Sequence, residues 1–322
     1  MPGIVGMGTT FNMPNFVGDL FSISPEDTPF LSAIGGLTGG REASAKRFEW
    51  EFYDLRPADG DRQRVEGAEA PVATERVRAN DHNVLEIHQE AVSVSYTKLG
   101  VGANGDFATN ARGAAGVVDE MAWQMDAQIK QVARDVELSF LVGTFQEPSS
   151  NAAPRKTRGL LEAIVTNVID LSSSVLTEED VNDLFQMAYD NGGLQEGETR
   201  VLIGGSAMKR QLTKIFLRDH DSQPLSRSVG GVNLSVIETD FGSASIMVDR
   251  YMPAGVLIAA SLEECAPRFL NIPGKGYFFW EPLAKTGASE NSQLYGEIGL
   301  EYGNERKHAK IVDAGTAYEA GS

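Results

Sequence analysis

The sequence predicts an α+β chain, and three patterns carry that expectation. Segment 117–141 sets apolar residues three or four apart at Val118, Ala122, Met125, Ile129, Val132, Val136 and Phe140, so they share one face of a long helix. Phe48, Trp50 and Phe52 alternate with Glu49 and Glu51, the period-two pattern of a strand with one covered face. After residue 177, helix-like and strand-like stretches follow one another closely, which suits a compact α/β or α+β unit.

The long helix is the element around which the rest is expected to be built. Met121 and Ala133 widen its apolar stripe. Asp119, Glu120, Gln124, Asp126, Gln128, Lys130, Gln131, Arg134, Asp135 and Glu137 form the opposite face, expected to meet water or another polar surface. Uninterrupted by proline or glycine, the run would span roughly 35 to 40 Å. A charge or a proline at Ile129 is expected to prevent folding. The plainer reading of these residues is an ordinary long core helix.

Taken in order, residues 1–23 hold Phe11, Phe16 and Phe21 at a spacing that fits neither a helix face nor a strand face, so this apolar stretch is expected to lie on something. Ser24-Pro25-Glu26-Asp27 reads as a helix start, with Gly35-Gly36 as its end. Strands are expected at 47–55 and 84–96, joined by a long polar connection containing Pro57, Gly60, Gly67 and Pro71. Together they read as an extended two-stranded arm. A Gly- and Asn-rich loop (100–116) precedes the long helix, and the stretch 148–158 marks a domain seam. Thr177 caps a helix that closes at Gly192-Gly193. A strand (200–203), Gly204-Gly205 and a helix capped by Ser206 follow, then short strands at 232–237, 246–248, 256–260, 277–280 and 293–302.

Bulk properties narrow the function. The 322 residues suffice for one large domain or two to three small ones, and a mean hydropathy of -0.21 with no apolar run near the roughly 18 residues of a membrane span argues for a soluble chain. Residues 1–10 carry no Lys or Arg and no apolar core, unlike a secretory or transit peptide. The single cysteine, Cys265, rules out an intramolecular disulfide and suits a reducing cytoplasm. A net charge of -17 disfavours sequence-independent binding to phosphate backbones, which is driven by Lys and Arg. Residues 41–80 nearly balance Arg41, Lys46, Arg47, Arg56, Arg62, Arg64, Arg76 and Arg78 against acids. A charge-balanced arm on an acidic body suits contacts between copies of the chain.

No catalytic motif stands out. Gly204-Gly205-Ser206 lacks the third glycine of a dinucleotide fingerprint and the Gly-Lys-Ser/Thr of a phosphate loop, so it reads as a tight strand-to-helix turn, as does Gly274-Lys275-Gly276. His82, His88, His220 and His308 show no metal-ligand spacing. Glu263 and Glu264 before Cys265 would raise a thiol pKa rather than create a reactive thiolate. The pattern is that of a building block.

The order of elements resembles the major capsid proteins of tailed bacteriophages, whose fold is named after phage Hong Kong 97. Local resemblance lies in Ile23-Ser24-Pro25-Glu26-Asp27-Thr28-Pro29-Phe30, in Phe48-Glu49-Trp50, and in Gly296-Glu297-Ile298-Gly299-Leu300-Glu301 followed by Asn304-Glu305 and His308. The resemblance implies an N-terminal arm (1–40) and an extended β-hairpin loop (41–96). It further implies a peripheral domain (97–176 and 290–322) built on the spine helix 117–141, and an axial domain (177–289) whose polar loop 218–230 faces the hexamer and pentamer centres. The implied function is a virion shell protein that self-assembles into an icosahedral capsid around double-stranded DNA, without sequence-specific binding, in the bacterial host cytoplasm. Scaffolding and portal proteins are implied partners, with room for a decoration protein; no membrane, cofactor, metal or catalytic residue is implied. Phe11, Phe16, Phe21, Phe48, Trp50, Phe52, Arg56, Arg62, Arg64, Arg76 and Arg78 are the expected assembly contacts.

Two departures from the family pattern carry expectations. The arm pattern begins almost at Met1, which implies either a separate scaffold or a cleaved form. No Lys lies between Lys46 and Lys98, so no covalent cross-link at the loop tip is expected. An encapsulin-like compartment is the alternative on the same fold; a soluble α/β enzyme or nucleotide-binding protein is the alternative from another class.

Overall fold

The computed structural model describes residues 26–53, 55–103, 120–194, 198–218, 235–285 and 287–315. Phe11, Phe16, Phe21, Ser24-Pro25 and the expected axis-facing loop at 219–230 lie outside the described residues. Helix α1 (Pro29–Ile34) begins later than expected, with Pro29 rather than Pro25 in its first turn. It stops where expected, because Gly35 takes φ 129°, a conformation L side chains rarely adopt. Then come β1 (Arg41–Ala43), β2 (Arg47–Tyr53), β3 (Arg78–Val84), β4 (Glu86–Ser95) and α2 (Tyr96–Ala103).

The strand pairing corrects the expected arm. The antiparallel partner of β2 is β3, in register from Arg47↔Val84 to Tyr53↔Arg78, while β4 pairs with β12 in another sheet. Segment 78–84 reads Arg-Ala-Asn-Asp-His-Asn-Val, which has no apolar alternation. A two-stranded ribbon wet on much of its surface does not require one, so periodicity could not reveal it.

The long helix α3 (Glu120–Val142) is present, with 117–119 outside the described residues. Val132, Val136 and Phe140 are at most 1% exposed, as the stripe predicts. Two positions depart from it. Ile129 is 37% exposed in the single chain, so the fold does not rest on that side chain as expected. Glu137, assigned to the wet face, is fully buried because its carboxylate accepts the backbone N–H groups of Phe30 (2.8 Å) and Leu31 (2.6 Å). Those amides open α1, whose N-cap Thr28 forms no side-chain cap bond.

Further along lie α4 (Leu160–Ala163), β5 (Val168–Asp170), α5 (Glu178–Asp190), β6 (Arg200–Gly204), α6 (Ser206–Thr213) and a π turn (Lys214–Arg218). Then come β7 (Val236–Thr239), β8 (Gly242–Val248), β9 (Leu257–Ser261), a 3-10 turn (Leu262–Glu264), β10 (Ala266–Leu270), β11 (Phe278–Pro282), β12 (Ser289–Glu301), a second 3-10 turn (Glu305–Lys307) and β13 (Ala309–Val312). One mixed sheet runs β5-β13-β9-β6-β8-β7; another runs β1-β10-β12-β11 with β4 also on β12.

The six-stranded sheet carries the main described core. Its five-residue strand β9 is buried throughout, and Val181, Leu184, Phe185 and Ala188 of α5 join Met208 and Leu212 of α6 in the same apolar cluster. Each such large side chain contributes about 1.5 to 3 kcal/mol when fully buried. Helix α5 starts as predicted, in a capping box: Thr177 Oγ1 accepts the Asp180 N–H (3.3 Å) and Asp180 Oδ2 accepts the Thr177 N–H (2.8 Å). The cap of α6 is Gly205, not Ser206. Gly274-Lys275-Gly276 is a turn, with the Gly276 N–H on Ile272 O (3.0 Å).

The chain divides into two units. One gathers the stretches ending at Asp27, His88–Arg134 and Phe278–Tyr295; the other gathers Thr28–Ile87, Asp135–Tyr277 and the residues from Gly296.

Candidate assembly interface

The hairpin β2/β3 and its connection carry those expected contact residues that are described. Residues 55–77 are exposed throughout, with Val65 at 80%, Val72 at 90% and Val77 at 83%. Three valines this open bury little of their side chains among the described residues. Arg56, Arg62, Arg64, Arg76 and Arg78 are all exposed on the same segment and its start in β3. Arg56 donates to Pro57 O (2.7 Å), and Arg78 pairs with Glu51 across the hairpin (2.7 Å). With side chains 70% and 54% exposed, the Arg78–Glu51 pair contributes little to stability, on the order of 0 to 1 kcal/mol.

The base of the hairpin is held quite differently. Phe48 is 8% exposed and packs with Ala43 and Leu85, with Trp50 and Leu270 against this cluster. Gly299 in β12 lies beneath it, where a Cβ would stand 2.7 Å from Val84 O and 2.8 Å from Phe48 Cε1, so no larger residue lets the layers meet. The Trp50 indole N–H donates to Gly303 O (2.7 Å), and its ring meets Tyr302 edge-on, centroids 4.9 Å apart. Tyr302 donates to Asp81 Oδ2 (2.9 Å) and accepts from Arg158 (2.7 Å). The Arg158 guanidinium also lies 3.5 Å from Asp81 and sits 4.5 Å above the Phe145 ring.

Asn83 completes the joint. Its Nδ2 donates to Arg158 O (3.1 Å) and Leu300 O (2.7 Å), and its Oδ1 accepts the Arg158 N–H (2.8 Å) and the Val84 N–H (2.9 Å). A fully buried amide using both ends is a specific connector between β3, β12 and the stretch before α4. Burial and the charge of Asp81 raise the Tyr302 phenol pKa; Arg158 opposes the shift. The joint therefore keeps its phenol proton at neutral pH.

The expected contact residues thus fall into two groups. Phe48 and Trp50 are spent on anchoring the hairpin within the chain. Phe52, at 37% exposure, and the five arginines face outward, while Phe11, Phe16 and Phe21 lie outside the described residues. Asp81, Asn83, Phe145, Arg158 and Tyr302 were not singled out from sequence. Asn83 and Asp81 left one faint signal, as strand-depleted residue types immediately before an apolar strand.

Other chemistry is muted. The Cys265 thiol is buried and pushed far above the usual thiol range, by burial first and then by Glu264, Glu301 and Glu263. His308 is fully buried, its Nε2 2.9 Å from Tyr302 O, and burial pulls its pKa down. Among the described residues no group of three or more His, Cys, Asp or Glu is placed to hold a metal ion, and no helix is long and apolar enough to cross a membrane.

Comparison with known families decides the identity. The family model described as SU10 major capsid protein matches residues 3–315. The chain belongs to that family. It is a phage major capsid protein with a Hong Kong 97-like fold.

Solved structures share the capsid protein's fold at low identity. The cyanophage A-1(L) capsid asymmetric unit superposes with a TM-score of 0.65 at 11% identity, over 94% of this chain and 97% of that one. A structure titled Microbacterium phage Oxtober96 gives 0.60 at 14% identity, over 96% and 98%. The holo-SrpI encapsulin complex from Synechococcus elongatus PCC 7942 gives 0.57 at 11%, over 99% and 98%. No curated protein matches the chain. Major capsid proteins assemble with themselves into a shell.

Proposed function

We propose that this capsid protein builds an icosahedral shell of hexamers and pentamers around a double-stranded DNA genome, in a structural and not a catalytic role. In this reading residues 1–40 are the N-terminal arm, 41–96 the extended loop, 97–176 and 290–322 the peripheral domain, and 177–289 the axial domain. Assembly takes place in the bacterial host cytoplasm with scaffolding and portal proteins, and the outer surface leaves room for a decoration protein. One observation supports it most: a hairpin anchored by Trp50, Asn83 and Tyr302 presents a connection whose Val65, Val72 and Val77 are at least 80% exposed among the described residues. A net charge of -17 would also keep packaged DNA from adhering to the shell wall.

Negative-stain microscopy of the purified chain is the direct test; closed particles are expected, and a discrete small oligomer overturns the proposal. In the same assay, Arg62→Ala together with Arg64→Ala is expected to lower shell yield and weaken its dependence on salt, because the exposed guanidinium groups would meet acids of a neighbour. Unchanged yield and salt response would remove the arginines from the interface. A compartment loaded with protein cargo is the alternative on the same fold, which the encapsulin neighbour shares at 11% identity and which the family match disfavours. Nucleic acid inside purified particles favours the phage shell, and tethered protein favours the compartment.

A further inference from the structure

Two carboxyl groups distant in sequence are buried together beside α1. Glu137 on α3 and Asp249, just after β8, are both fully buried. Each is partly provided for. Glu137 accepts the amides of Phe30 and Leu31, and Asp249 Oδ1 accepts the Tyr251 N–H (2.7 Å). Asp249 Oδ2 is buried with no N–H or O–H donor among the described residues. Among the described residues, the Glu137 carboxyl is placed to hydrogen-bond with Asp249. Two carboxylates can bond to one another only when one carries a proton, and a proton on Glu137 would satisfy the orphaned oxygen.

Among the described residues no Lys, Arg or His forms an ion pair with Glu137 or Asp249. Helix α1 and strand β8 bring no ionisable side chain. Of the other elements packed on α1, the 3-10 turn brings Glu263 and Glu264, and β10 brings Arg268. These are engaged with Thr199, Lys307 and Glu301 respectively. Arg250, next to Asp249, is exposed, and Arg134 lies one turn earlier on α3. Burial first, then the bond to Asp249 and its charge, hold the Glu137 carboxyl up at about 9, against the opposing pull of the two amides.

We infer that Glu137 and Asp249 share one proton and form a pH-sensitive latch on the start of α1, closed in neutral and acidic solution and weakened in alkali. The sign follows from linkage: the folded chain holds a proton that the unfolded chain releases near the ordinary carboxyl range. The latch's contribution is therefore complete below about 4.5 and is lost as pH rises through about 9. Its place gives it a mechanical role, because α1 closes the segment proposed as the N-terminal arm. The latch ties that segment to the spine helix and to the chain leaving β8.

The test is thermal melting of the full-length chain from about pH 6 to about pH 10, for wild type, Glu137→Gln and Asp249→Asn. Asp249→Asn supplies a donor to an ionised Glu137; Glu137→Gln places an amide N–H where the shared proton lies but gives up one of the two oxygens that accept the α1 amides. Asp249→Asn is expected to melt with the wild type near the acidic end and several degrees above it near the alkaline end, while Glu137→Gln, short of one amide bond, is expected to melt below the wild type in acid and to lose less than it toward alkali. Hydrogen exchange of a peptide covering residues 28–36 should lose relative protection in alkali only in the wild type. Melting curves that run parallel across the range for every variant that folds overturn the latch. Should Glu137→Gln fail to fold, Asp249→Asn decides the matter by the same criterion.

Discussion

Val136→Asp in α3 is expected to abolish folding, with the chain recovered as aggregate and no particles formed. Val136 is fully buried, one turn after Val132 and one before Phe140, both also enclosed. An aspartate there would be a carboxylate with no partner, which costs several kcal/mol even when it protonates. A domain with roughly 5 to 15 kcal/mol of total stability loses most of it. Circular dichroism of the refolded chain checks this. The companion change Ile129→Asp is expected to cost only about 1 kcal/mol in the unassembled chain, because Ile129 is already 37% exposed. If Val136→Asp melted cooperatively within a few degrees of wild type, the helix would not be the spine of the core.

The second large effect is expected at Trp50. Truncation to alanine removes the ring packed between Phe48 and Tyr302 and the indole bond to Gly303 O. A fully buried tryptophan costs roughly 3 to 5 kcal/mol on such a change, and this half-buried one about 2 to 3. The melting temperature should fall by several degrees, and amide protection should fade in β2 and β3 before it does in the six-stranded sheet. Trp50→Phe keeps an aromatic ring and loses the indole donor, so it should cost about 1 kcal/mol. Shell yield should follow the same order. An alanine variant that assembles like wild type would mean that hairpin anchoring is not needed for contact between copies.

How much of this was legible depends on what each residue had to match. The long helix was visible because burial of Val132, Val136 and Phe140 imposes a three-or-four spacing. Capping of α5 was visible because Thr177 and Asp180 act within one turn. Strand β3 was not, since seven mostly polar residues, exposed at one end and buried at the other, leave no period to detect. Strands β5 and β13 were missed for a different reason: three or four residues are too few to show alternation. Strand β10 carries Pro267, which argues against a strand from sequence and is tolerated here all the same.

For the candidate interface, the sequence by itself determined the composition of the arm: aromatics alternating along β2, arginines along the connection, and a polar stretch too long to be a turn. Only the tertiary structure decided which of these residues are used inside the chain and which are left outside. Phe48 and Trp50 point at Gly299, Tyr302 and Gly303, more than two hundred residues away, so their partners have no local signature. Glu137 shows the same division. Its place on a polar helix face follows from local spacing, but its burial follows from two amides and one carboxyl brought from elsewhere in the chain. Periodicity records which face an element must cover; the partner on that face is set by packing between distant segments.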